Sequence, residues 1–144
     1  MIQVSPKLVD TAHGIMRIAA GLLFMEHGVQ KLFGWLGGFG PQGGAAPLFS
    51  LFGVAGVLET FGGALIVLGL LTRPVAVILL LEMLFAFARV HLPQGFWPIL
   101  SGGELALLYA GIYLYLAAAG PGRFALDRVL RRGAEPAAAQ GVRT

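Results

Sequence analysis

Four apolar runs, separated by short segments rich in glycine and proline, dominate this sequence. Hydrophobic residues make up 57% of the chain and charged residues 12%, a balance that does not suit a water-soluble domain. An α-helix needs about 20 apolar residues to cross a bilayer, so each run predicts a membrane-spanning helix. We therefore expect an all-α integral membrane protein, a four-helix transmembrane bundle. Its helices are predicted at about residues 12–33, 48–72, 74–90 and 104–119.

The distribution of basic residues predicts the orientation of this bundle. Five arginines follow the last apolar run, an excess that marks cytoplasmic segments of membrane proteins. We therefore expect both termini in the cytoplasm, with the chain in a bacterial inner membrane and its two aromatic loops facing outward. Residues 1–122 would form the transmembrane domain, and residues 123–144 a basic amphipathic segment and a disordered tail. The five residues are Arg123, Arg128, Arg131, Arg132 and Arg143.

Other charge patterns indicate whether the chain binds nucleic acid and whether it carries a cleaved signal peptide. The net charge is +3, but the basic residues are sorted by position and are not interleaved with aromatic residues, so nucleic acid is not an expected partner. The first long apolar run contains Arg17 and is followed by no cleavage pattern, so we expect no signal peptide. The chain should insert whole.

Local signals predict where helices start and stop. Ser5 before Pro6 predicts the N-cap of the first helix. Thr72-Arg73 is expected to form a minimal turn between the second and third helices. Ser101 followed by Glu104 matches a capping box that would open the fourth helix.

Glycines recur every seven residues in the first helix, at Gly14, Gly21 and Gly28. On a helix they lie almost in line, so a neighbouring backbone is expected to approach closely there. Arg17 and Lys31 lie within about 40° of this stripe at 3.6 residues per turn, so both should face protein.

Charged residues within the apolar runs carry the functional prediction. A charge at the bilayer centre costs about 2.5–3.5 kcal/mol on insertion scales, so such groups should pair or line a wet cavity. We expect one shared cluster between the helices, toward the outward face. Glu59, Glu82 and His27 are the candidates for proton handling. The candidate ligand-binding residues are Arg17, Lys31, Arg89, His91 and Glu104.

Each of these residues also has a purely structural interpretation. Glu104 would serve as a capping carboxylate, Lys31 and Arg89 would extend to the membrane interface, and His91 would be a loop histidine. Glu59 and Glu82 have the strongest functional claim, because intramembrane carboxylates are functional-site candidates by default. A structural ion-pair network that assembles the helices is the competing interpretation.

Several of these features occur in the order seen in one family, and the match runs from Arg17 to Asp127. It consists of Arg17, His27-Gly28, Lys31, Glu59, Gly62-Gly63, Gly69-Leu70-Leu71-Thr72-Arg73, Gly103-Glu104, Gly120-Pro121-Gly122-Arg123 and Asp127. In this order the chain resembles the DoxX family. The resemblance implies a small four-helix bacterial inner-membrane protein related to the membrane subunit of thiosulfate:quinone oxidoreductase. It also implies a role beside soluble redox enzymes in detoxification of quinones, catechols or reactive species.

Four functions remain open at this point. The leading hypothesis is binding of a quinone or similar amphipathic redox molecule, with His27 and Lys31 on a carbonyl and Tyr109 and Tyr113 against the ring. The second is a non-enzymatic membrane anchor for soluble redox enzymes. A haem or di-metal site is less favoured, because the glutamates lack the Glu-x-x-His spacing of di-iron bundles. A transporter, or a homo-oligomer that forms a pathway, is the fourth.

Overall fold

Helices account for most of residues 5–134, the part of the chain that this computed structural model describes, with side chains described to residue 130. No strand occurs in this range, although Phe39 and Gly44 form one isolated β-bridge. The all-helical prediction is therefore confirmed for these residues. The helices are α1 (Pro6–Phe33), α2 (Leu51–Leu68), α3 (Thr72–Gln94), α4 (Pro98–Ser101), α5 (Glu104–Ala119) and α6 (Leu126–Ala134).

Three of these helices, α1, α2 and α3, are long and apolar enough to cross a membrane. They have 28, 18 and 23 residues. Helix α5 is equally apolar in character but has 16 residues, a length of about 24 Å at 1.5 Å per residue. It falls short of the roughly 30 Å hydrocarbon core of a typical bilayer.

The ends of α1 and α2 depart from the sequence-based expectations. Helix α1 does begin at Pro6, but the side chain of Ser5 makes no capping hydrogen bond, so that prediction is wrong. Helix α2 begins at Leu51, where Ser50 Oγ accepts a hydrogen bond from the Gly53 N–H at 3.1 Å. Serine is a strong N-cap because its hydroxyl satisfies a backbone donor that has no partner within the helix.

The connection between α2 and α3 is also misplaced in the sequence-based prediction. The turn is formed by residues 69–71, and Thr72 and Arg73 already belong to α3. Gly69 has a φ of +64°, a conformation that glycine adopts without steric cost, and this ends α2. The Asp127 carboxylate then accepts hydrogen bonds from the N–H groups of Leu71 and Thr72, at 2.9 and 3.0 Å.

The predicted capping box at the start of α5 is wrong. Ser101 lies in α4, and its hydroxyl donates to the Pro98 carbonyl at 3.4 Å. Gly103 precedes α5 and provides no side-chain cap, which leaves Glu104 as an exposed residue of the first turn. Helix α3 runs past the expected end through a π-helical turn, Phe87–His91, and a short 3-10 turn.

Other backbones approach the glycine stripe of α1 closely, as predicted: Gly14 meets the Arg123 carbonyl, and Gly21 and Gly28 meet α2. A Cβ on Gly21 would lie 2.9 Å from the Gly63 carbonyl oxygen, and one on Gly28 would meet the backbones of Gly56 and Thr60. The two helices therefore touch backbone to backbone, while α3 packs along α5. Phe24 and Ile66 from the first pair meet Leu79 and Tyr113 from the second in one shared apolar core.

The bundle has two distinct ends. The loop end carries the connections 34–50 and 95–103, and the arginine end carries the turn 69–71 and the segment 120–125. At the arginine end α6 follows this segment, whereas the predicted disordered tail, residues 135–144, lies outside the described residues. The candidate site lies toward the loop end.

Candidate ligand-binding cleft

A cleft of about 770 Å³ lies between α1, α2, α3 and α5, toward the loop end. Its volume falls in the range of roughly 300–1,000 Å³ that is usual for small-molecule sites. Most of its lining is aliphatic or aromatic, and five of its side chains are histidine, lysine or glutamate. These are His27, Lys31, Glu59, Glu82 and His91. The structure thus brings together five of the eight residues that the sequence suggested.

Lys31 and Glu59 form an ion pair that joins α1 to α2. The Lys31 Nζ lies 2.5 and 2.6 Å from the two carboxylate oxygens of Glu59. The Glu59 side chain is 3% exposed and that of Lys31 is 17% exposed, so the charges are shielded from the surroundings. Glu59 lies in the π-helical turn Leu58–Gly62, a local widening of α2 that is frequent at functional sites.

Glu82 lines the cleft from α3 and differs sharply from Glu59. Both of its carboxylate oxygens are buried, and neither has a hydrogen-bond partner among the residues that the structure describes. A buried carboxyl without a partner carries a desolvation cost that nothing offsets. A ligand group that exchanges a hydrogen bond with this carboxyl would remove that cost, so Glu82 marks the point in the cleft where a polar group fits.

Aromatic rings form the back of the cleft. Phe24 and Tyr109 are buried, with ring centroids 4.9 Å apart. The His27 imidazole meets Tyr109 edge-on, with centroids 6.2 Å apart, a favourable geometry for aromatic pairs. Neither ring nitrogen of His27 has a hydrogen-bond partner within residues 5–134. His27 is therefore available to a ligand.

His91 is oriented by the backbone. Its Nδ1 lies 3.0 Å from the Ser101 carbonyl oxygen, and because a carbonyl only accepts, Nδ1 carries the hydrogen. In the neutral ring Nε2 is then the acceptor. Such a fixed tautomer gives the cleft a second histidine with one defined acceptor nitrogen.

Arg17 does not reach the cleft, so its assignment to the shared cluster is wrong. It is fully buried at the arginine end, where it donates to the carbonyls of Ile66, Val67, Arg123 and Phe124. The C-terminal end of a helix presents carbonyl oxygens without partners, which attract a guanidinium group. Arg17 therefore ties the end of α2 to the segment that leads into α6.

Arg89 and Glu104 also lie outside the cleft. Both side chains are exposed, and neither lines the cavity. Arg89 lies in the π-helical turn Phe87–His91 and Glu104 in the first turn of α5, and the structure does not bring these two residues into the predicted cluster.

Sequence reasoning missed the α2 wall of the cleft, formed by residues such as Leu51, Phe52 and Leu58. A pattern of apolar residues does not distinguish a side chain that faces lipid from one that faces a cavity. The signal that was present is the close spacing of Gly56, Glu59 and Gly62, which places a carboxylate at a tight helix contact.

The cleft does not hold a recognisable metal site. Among the described residues, no three histidine, aspartate or glutamate side chains are grouped so that they could hold a metal ion.

These features define the class of the protein: it is a helical membrane protein with a cleft among apolar helices, and the lining of this cleft includes polar side chains. The DoxX family model matches residues 13–92, and the chain belongs to this family, which confirms the resemblance seen in the sequence. No solved structure matches the chain significantly.

Three relatives show what the chain resembles. It is 41% identical to an uncharacterised protein of Haemophilus influenzae, over 78% of this chain and 85% of the relative. It is 31% identical to the Bacillus subtilis protein named "Putative oxidoreductase CatD", over 83% and 87%. It is also 31% identical to the inner membrane protein YphA of Escherichia coli, over 79% and 86%.

Proposed function

We propose that this protein crosses a bacterial inner membrane four times and binds a quinone or similar amphipathic redox molecule in the cleft. It would act as the membrane component of a redox or detoxification system. The names of two relatives support this location and role, since one is "Inner membrane protein YphA" and the other "Putative oxidoreductase CatD".

The charge distribution supports a topology with both termini in the cytoplasm. The arginine end carries Arg73, Arg123 and Arg128, whereas at the loop end Lys31 is paired with Glu59. Positive charge collects on the cytoplasmic side of membrane proteins. Helix α5 would complete the fourth crossing, its short length being met by local thinning of the bilayer.

The observation that carries the ligand assignment is the Glu82 carboxyl, which has no hydrogen-bond partner among the described residues and lines a mostly apolar cleft. A quinone has the matching shape and polarity: a flat apolar ring with oxygen atoms at opposite edges. Tyr109 and Phe24 would contact the ring face. Because the quinone oxygens only accept, Glu82 in its protonated form and His27 would each donate a hydrogen bond to one of them.

The chemistry of a quinone also suits this set of groups. Reduction to the hydroquinone takes up two electrons and two protons, and each proton needs a group that can give and regain it. Glu82, His27 and His91 are three such groups in one cavity. The electrons would come from a donor outside this chain, which contains no cysteine and so no thiol carrier.

Replacement of Glu82 by leucine tests the proposal. Leucine is of similar size and removes both carboxyl oxygens, so quinone affinity should fall by about tenfold, as expected when the hydrogen bond donated by the neutral carboxyl is lost. The same variant should unfold at a higher temperature, because a buried polar group without a partner is removed. A change in these two opposite directions cannot result from misfolding.

Glu104→Leu is the matched control, because Glu104 is an exposed glutamate outside the cleft. Its affinity for tetramethyl-1,4-benzoquinone, measured in lipid nanodiscs against empty nanodiscs, should equal that of the parent. If Glu82→Leu binds the quinone as tightly as Glu104→Leu, the assignment of the cleft is wrong.

A non-enzymatic anchor for soluble redox enzymes is the second candidate, and α6 favours it. This helix exposes Leu126, Val129 and Leu130, with Arg128 also exposed. Such a surface suits a partner protein or the membrane interface. Val129→Ser would then abolish partner recruitment and leave quinone binding unchanged, whereas the leading proposal predicts that Glu82→Leu impairs redox function with recruitment intact.

A further inference from the structure

Helices α2 and α3 separate toward the loop end. They are in contact beside their shared turn and again at the π-helical turn Leu58–Gly62, but along Leu51–Val57 α2 hardly touches α3. Both helices still line the cleft in this region. The cleft is therefore bounded on this side by two diverging helices, with an opening between them.

The residues at this opening are apolar and face outward. Leu51, Phe52 and Val54 of α2 have exposures of 48%, 38% and 51%, and Ile78, Leu81 and Phe85 of α3 have exposures of 50%, 60% and 52%. All six also line the cleft. An opening to water would carry polar side chains, so this one faces the hydrocarbon of the bilayer. We name these six residues the lateral slot.

Two polar side chains of the cavity are deeply buried behind this surface. Glu59 is buried at 3% exposure, and Tyr109 at 5%. The loop end is partly covered, because the Ala46 N–H donates to the Lys31 carbonyl at 2.7 Å and the Phe39 ring packs on Phe52 with centroids 4.8 Å apart. The unobstructed approach is through the slot.

We propose that the ligand enters from the lipid through the lateral slot and that its apolar tail remains between α2 and α3 when its polar head reaches Glu82. This inference rests on the proposed quinone function and adds the ligand class: a ring with a long hydrocarbon tail. The polar side chains of the cleft bind the polar head of the ligand, and the lateral slot gives its apolar tail a continuous path into the bilayer.

Two probes separate the head site from the tail path. Tetramethyl-1,4-benzoquinone has a ring without a tail, and 2,3-dimethoxy-5-methyl-6-decyl-1,4-benzoquinone carries a ten-carbon tail. Ile78→Trp places a bulky side chain in the slot, and Leu108→Trp places one on the lipid-facing side of α5, where Leu108 is 61% exposed. Binding is measured as probe retained by protein in nanodiscs, corrected for empty nanodiscs.

Ile78→Trp should weaken binding of the decyl probe by about tenfold or more, because the inserted indole overpacks the space that the tail occupies. It should leave the tetramethyl probe within about twofold of the parent. Leu108→Trp should change neither. Val54→Trp approaches the slot from α2 and should reproduce the result if Ile78→Trp fails to fold.

The failure of this inference differs from the failure of the proposed function. If both probes bind the parent, and the slot variants change the binding of both probes equally, the lateral path is wrong but the head site stands. If neither probe binds the parent above empty nanodiscs, the quinone function itself is wrong, and the slot assignment falls with it.

Discussion

Replacement of Lys31 by methionine will leave the Glu59 carboxylate buried without its partner. Lys31 Nζ is the group that meets both Glu59 oxygens, at 2.5 and 2.6 Å, and the glutamate side chain is 3% exposed. Breaking a buried pair from one side costs about 3–5 kcal/mol. We expect Lys31→Met to lower the free energy of unfolding by an amount in this range.

Glu59→Gln should cost less, about 1–3 kcal/mol. The reason is an asymmetry in the pair: Lys31 is 17% exposed and lies in the last turn of α1, so its ammonium can move toward the loop end. The double variant has no unpaired charge and should be more stable than the sum of the single losses predicts, with a coupling of about 2–3 kcal/mol.

The assay is equilibrium unfolding of the purified protein in mixed detergent, followed by helical circular dichroism. Asp10 and Arg128 provide the matched control, since they form an ion pair at 3.4 Å whose side chains are 44% and 49% exposed. An exposed pair is worth little, so the same cycle there should give a coupling below about 0.5 kcal/mol. A coupling near zero for Lys31 and Glu59, or equal losses in the two single variants, would refute this reasoning.

Three further predictions concern packing and buried groups. Gly28→Val should push α1 away from α2 and lower the free energy of unfolding by about 1–3 kcal/mol. At Gly111 an added Cβ meets nothing within 4 Å, so Gly111→Ala should stabilise α5 by about 0.5–1 kcal/mol. Chemical denaturation measures both changes. Arg17→Lys should lower the melting temperature, because an ammonium group cannot donate to four carbonyls as a guanidinium group does. Only a side chain with the geometry of arginine should restore it. Tyr113→Phe should be neutral or stabilising, since its buried hydroxyl has no partner among the described residues, and a drop in melting temperature would contradict this.

The helices and their tightest contact could be predicted from the sequence. Long apolar runs determine where α1, α2 and α3 form, because the backbone must satisfy its own hydrogen bonds in lipid. The seven-residue spacing of Gly14, Gly21 and Gly28 predicted a face of α1 that other backbones approach closely, and two of these glycines meet α2. Both signals are local or periodic, so they can be found without knowing which helices are neighbours.

The destinations of individual charges could be predicted only in part. Lys31 and Glu59 were expected to face the interior, and they do. Arg17 was a predicted ligand-binding residue, but its partners are backbone carbonyls that lie about 50 and 107 residues away in the chain, one at the end of α2 and the other in the segment 120–125. No sequence spacing reveals such acceptors.

Helix ends were less predictable, because distant residues decide them. The N-terminus of α3 is held by the Asp127 carboxylate, so Thr72 starts a helix and not a turn. The π-helical turn of α2 widens the helix at Glu59 and leaves no mark in the hydropathy pattern. The cleft depends on both features, and its existence followed from the structure.

The central claim is that the cleft holds a quinone against Glu82. The most direct test is the amount of quinone that stays bound when the protein is purified from bacterial membranes in mild detergent, quantified by mass spectrometry. The account predicts a stoichiometric amount in the parent and in Glu104→Leu, and about tenfold less in Glu82→Leu. A parent that retains no more than empty micelles, or a Glu82→Leu variant that retains as much as the parent, would contradict it.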